Sequence, residues 1–294
     1  MPVPVMGNNP KTRFLQICPE NTIIWIAHDM QDADRLTLPS LLHDMMAYDP
    51  RGIGITQLAL GDMRHLNSYK LGDLHPDELP PPLQQSLAKL LSSSLEAFYS
   101  VISPDCGARA TLGIFTFRQA QFHHNRSVPL FSSAKSYTRL ERDPRDIHMD
   151  LEHVGVYSDP RRNMFSWNKF KANFGEKRNI PVRYLLSIMP SMDEQAIVSR
   201  KAFVDYLQAD DEAWEKWTGI SNKNIWGDRM TEKEYMNQRT SLPQVAGLWN
   251  FPLEAFGDVP DAENVALMDP GAWQLKMLKN LSNYHPELWA FHLH

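Results

Sequence analysis

Hydrophobic positions recur along this chain at two spacings, and each spacing predicts a type of element. Residues 22–27, with Ile23, Ile24, Trp25 and Ile26, form a short β-branched and aromatic run suited to a buried strand. Residues 36–48 carry apolar side chains three and four apart and predict a helix, and a second apolar run over 53–60 follows. Between 71 and 82 four prolines remove amide donors from any regular ladder, so this stretch is expected to be an ordered surface connection. After it, Leu83, Leu87, Leu90, Leu91, Leu95, Phe98, Val101 and Ile102 recur at three- and four-residue spacing. That stripe predicts one long helix facing the core, stopped by Pro104.

The centre changes period. Residues 108–117, 127–133 and 150–157 are short apolar or small-residue runs bounded by turn residues, and they predict strands that pair antiparallel. Past Pro160 the spacing turns helical, and 181–189 reads as one more buried strand. Ser191-Met192-Asp193-Glu194 has the form of a capping box, continued at helical spacing by Met192, Ala196, Arg200, Phe203 and Leu207. Thr231-Glu232-Lys233-Glu234 repeats that form, and a last helix is expected over about 270–282. The elements sum to an α+β fold with a central, mainly antiparallel sheet, packed helices and a helical C-terminal region. Pro190 is the best candidate boundary, dividing a mixed α/β part (1–190) from an acidic, mainly helical part (191–294). One continuous domain fits the pattern as well.

Composition narrows the class. With 294 residues, 43% of them hydrophobic and 22% charged, the chain has the make-up of a globular protein. A net charge of −5 argues against a surface that is basic throughout, so nucleic acid or an anionic membrane would need a local patch. Charge is in fact segregated. Residues 1–117 hold 8 Lys/Arg against 12 Asp/Glu, residues 118–178 hold 12 against 7, and residues 191–294 hold 9 against 16. The basic middle and acidic end offer a route to homo-oligomers by charge complementarity.

Two cysteines, Cys18 and Cys106, make neither a disulfide framework nor a cysteine zinc site, so a reducing, cytoplasmic location is expected. Residues 1–10 lack the basic and apolar regions of a secretory signal, and no apolar stretch approaches the ~18 residues of a membrane span. No membrane partner is expected.

Walker A, G-x-S-x-G, H-E-x-x-H and paired C-x-x-C motifs are absent, which lowers the case for the enzyme classes they mark. Gly52-Ile53-Gly54 lacks the third glycine of a dinucleotide fingerprint, since Gln57 stands there, and turn geometry is its expected use.

Two stretches carry candidate chemistry. In Ile147-His148-Met149-Asp150-Leu151-Glu152-His153, an extended backbone would put His148, Asp150 and Glu152 on one face. With His123, or its neighbour His124, on an adjacent strand, His148 and Asp150 would make a two-histidine, one-carboxylate set for Fe(II), or a zinc site, with Glu152 as base. Without metal, His148 would act as acid/base on a small-molecule substrate, oriented by a carboxylate. The plain alternative is a half-buried strand with its polar face in water. No Lys or Arg follows His285, His292 or His294, which counts against a 2-oxoglutarate dioxygenase.

The second stretch interleaves Arg161, Arg162, Lys169, Lys171, Lys177 and Arg178 with Phe165, Trp167, Phe170 and Phe174. It is the alternative functional surface, for nucleic acid or complex assembly, with cations on phosphates and rings on bases. Its plain reading is an amphipathic helix whose rings are core. Trp214, Trp217, Trp226, Trp249, Trp273 and Trp289 likewise read first as core and second as a partner surface.

Overall fold

The computed structural model describes residues 2–5, 13–16, 22–26, 36–61, 71–102, 110–112, 122–132, 134, 136–152, 154–156, 159–188, 197–221, 242–267 and 277–294. The chain begins with β1 (Pro2–Val5) and β2 (Arg13–Gln16), an antiparallel pair, followed by β3 (Ile23–Ile26), α1 (Thr37–Ala47) and β4 (Gln57–Leu60). Next come α2 (Pro81–Lys89), β5 (Ala97–Ile102), β6 (Ala110–Leu112), β7 (Phe122–His124), β8 (Tyr137–Leu140) and the short α3 (His148–Leu151). The second half holds β9 (Val154–Val156), α4 (Arg161–Asn173), β10 (Val182–Leu186), α5 (Arg200–Ser221), β11 (Gly247–Pro252), β12 (Met277–Lys279) and β13 (Glu287–Phe291).

Seven strands form one sheet in the order β3-β4-β5-β10-β11-β13-β8. β3, β4 and β5 pair parallel, with Ile23 opposite Gln57 and Gln57 opposite Ala97, whereas β11, β13 and β8 pair antiparallel. The sheet is therefore mixed, and the expectation of a mainly antiparallel one is overturned. Parallel neighbours need long crossovers. Here α1 and α2 supply them, and the two helices pack together with His43 Nδ1 2.8 Å from Ser86 Oγ.

By contacts the chain divides into two compact units, each built from three stretches. One is Met1–Val101, Pro160–Arg183 and Gly257–Asp269, and the other is Ile102–Asp159, Tyr184–Phe256 and Pro270–His294. Pro190 lies outside the described residues.

In the first unit, β3, α1 and β4 follow the apolar pattern. Leu38, Leu42 and Met45 are the buried stripe of α1, and Pro39 sits in its first turn, where a missing amide costs nothing. Gly52 and Gly54 serve turn geometry, with φ of 66° and 79°. Asp49 Oδ1 accepts the Arg51 amide (3.0 Å) and Oδ2 the Gly54 amide (2.7 Å), closing the turn into β4. The proline-rich connection is ordered as two short 3-10 turns, Leu71–Asp73 and Pro76–Glu78, with Leu71, Leu74 and Leu79 buried.

The long helix expected over 83–102 is a helix, a π turn and a strand. α2 ends at Lys89, a π turn (Leu90–Ser94) closes with the Leu95 amide on the Leu90 carbonyl, and β5 follows. All eight apolar residues of the stripe are buried, so burial follows the pattern although the secondary structure does not. The reason lies in 97–102, Ala-Phe-Tyr-Ser-Val-Ile, a continuous run that a strand covered on both faces accepts as readily as a helix.

In the second unit, β11 and β13 come close enough that a Cβ on Gly247 would overlap the Trp289 carbonyl oxygen. Trp249 and Trp289 are core, as their plain reading has it. Met277–Lys279 is strand β12, paired with β9, so the C-terminal helix expected there is corrected. α5 starts at Arg200, with Ser199 Oγ accepting the Ala202 amide, while Ile197–Ser199 precede it without helix. The capping boxes at 191–194 and 231–234 lie outside the described residues. With β11, β12 and β13 in it, the C-terminal region is not simply helical.

Candidate functional site

The run 147–156 is not one strand. His148–Leu151 is helical and only Val154–Val156 is extended. Ile147 and Leu151, four residues apart, are both buried, which is helical spacing inside a sequence that also alternates. The shared strand face of His148, Asp150 and Glu152 is thereby corrected. Helical spacing instead pairs His148 with Glu152, Nε2 to Oε1 3.3 Å, at side-chain exposures of 60% and 34%. Asp150 turns inward to 1% exposure, where Oδ2 accepts the Ser127 amide at 2.7 Å and the Ser127 hydroxyl at 2.5 Å.

That carboxylate ties α3 to the turn at Ser127. His123 lies in β7 opposite Thr111, with His124 opposite Ala110. His153 lies outside the described residues. Among the described residues, no three His, Cys, Asp or Glu side chains gather in a group able to hold a metal ion.

The basic segment is α4 and the turn after it. Met164, Trp167 and Phe170 are buried, whereas Phe165 is half-buried, and Trp167 stacks on Phe98 of β5 with centroids 4.0 Å apart and planes 2° from parallel. Phe174 packs edge-on to Phe170 at 5.0 Å. Several cations are engaged at home. Lys169 Nζ reaches Asp73 at 2.6 Å, Lys171 Nζ donates to the Arg178 carbonyl at 3.0 Å, and the Arg178 guanidinium donates to the Leu95 carbonyl. Arg161 and Arg162 are half-buried and Lys177 is exposed. A ring committed to the core is not available to stack on a base.

A third location emerges only from the fold. Where β4 ends and β5 nears its end, the first two turns of α4 leave a water-sized, mostly apolar hollow lined by Leu60, Gly61, Leu71 and Phe98, with Ser100, Asn163 and Ser166 at its rim. Ser100 is 1% exposed, and its Oγ accepts a 3.1 Å hydrogen bond from Asn163 Nδ2. α4 is held over this edge by Asn173, whose Nδ2 donates to the carbonyls of Gly72 and Leu74, each at 3.0 Å.

Sequence reasoning passed over these residues. The available signals were one serine inside an apolar strand and an asparagine at the start of a helix, and nothing local joins positions 63 apart. The chain leaves β3 through Ala27-His28-Asp29 and β4 through Gly61-Asp62. Of these five residues only Gly61 is among the described ones.

No protein-family model, curated protein or solved structure matches the chain. Among the described residues no helix is long and apolar enough to cross a membrane.

Proposed function

We propose that the protein is an enzyme acting on a small polar molecule at the carboxyl edge of β3 and β4 in the first unit. The observation that carries this reading is the Ser100–Asn163 hydrogen bond at the wall of the mostly apolar, water-sized hollow beside Leu60 and Gly61. Parallel strands point their carboxyl ends to one edge, and the loops leaving that edge are where α/β sheets bind ligands.

Ser100 and Asn163 are then the groups that hold a hydroxyl or carbonyl of the substrate.

The exposed His148–Glu152 pair supports a second reading, in which His148 is the acid/base and Glu152 orients its ring. The basic segment supports the nucleic-acid reading less well, because Trp167, Phe170 and Phe174 pack within the unit and Lys169, Lys171 and Arg178 already have partners there.

One titration separates the two. The protein is screened by thermal shift against nucleotides, sugar phosphates and small carboxylic acids. A compound is expected to raise the Tm of the wild type and of His148→Ala by several degrees, and to lose that effect in Asn163→Ala. Loss in His148→Ala with retention in Asn163→Ala selects the second reading. If no compound in the panel binds, the small-molecule assignment fails.

A further inference from the structure

We draw no further inference here: the strongest candidate, the side-chain cluster on strands β8 and β13 in which His292 Nε2 lies 2.8 Å from Thr138 Oγ1 and Nδ1 lies 3.1 Å from Ser136 Oγ, carries nothing, because all three side chains are exposed and nothing in the structure shows what ligand they would meet.

Discussion

Two carboxylates two residues apart, Asp150 and Glu152, have opposite fates, and the difference comes from which donors the fold brings to each. Asp150 meets a backbone amide and a hydroxyl of Ser127 in the interior, whereas Glu152 meets an exposed imidazole. A buried acceptor with two donors is costly to remove, because both donors lose their partner away from water, at about 1–3 kcal/mol. An exposed pair is worth little. Asp150→Ala is therefore expected to lower the unfolding free energy in urea by about 2 kcal/mol, and His148→Ala to leave it within about 0.5 kcal/mol. Equal losses in the two variants would contradict the description of α3. The sequence singled out these residues correctly as polar groups in an apolar run, but the direction each side chain takes depends on whether 148–151 is coiled or extended.

At the scale of elements, apolar spacing located the buried positions and was less reliable about the backbone that carries them. Leu83 and Leu87 lie on a helix, Leu90 and Leu91 on a π turn, and Phe98, Val101 and Ile102 on a strand, and all are buried. A continuous apolar run satisfies both periods. The choice between them depends on whether neighbouring strands are present to accept the backbone hydrogen bonds. β5 has β4 on one side, and the Phe98 amide donates to the Pro181 carbonyl on the other.

The turn before β4 shows a local pattern that was legible. Gly52 and Gly54 hold left-handed backbone, and Asp49 accepts the Arg51 and Gly54 amides on either side of Gly52. A Cβ on Gly54 would stand 2.9 Å from Ser94 Oγ as well as strain the backbone. Gly54→Ala is expected to cost about 1–3 kcal/mol in denaturant unfolding. Gly52→Ala, with nothing within 4 Å of its Cβ, is expected to cost less. The reverse order would refute the contact with Ser94.

For the molecule as a whole, acid stability rests on carboxylates that stay ionised inside it. Burial alone would raise the pKa of Asp143, but hydrogen bonds and charge from Arg145, with the Trp249 indole, hold it below the usual aspartate range. Burial acts the same way on Asp49, and the amides of Gly54, Arg51 and Ile53 outweigh it, holding that carboxyl low as well. A depressed native pKa means that the unfolded chain binds protons first as pH falls. These groups contribute stability above the unfolded aspartate value of ~3.9 and lose it as pH drops through their native values.

Trp249 fluorescence during acid titration is expected to report this loss below about pH 4. Asp143→Asn leaves the Arg145 guanidinium, whose side chain is 4% exposed, without its counter-charge. It is expected to cost about 3 kcal/mol at pH 7 and to flatten the acid limb. An unchanged limb would mean that other groups govern it.

What the sequence determined by itself was the globular class, the positions of most core residues, the turn at 49–54, the helix past Pro160 and the strand before Pro190. All of these depend on side chains a few residues apart, and their physics is local. Only the tertiary structure decided that β3, β4 and β5 run parallel, that the stripe from Leu83 breaks into helix and strand, that Asp150 faces Ser127, and that Ser100 and Asn163 share a wall of one hollow. Those outcomes depend on hydrogen bonds and packing between residues far apart in the chain, which adjacent side chains do not encode.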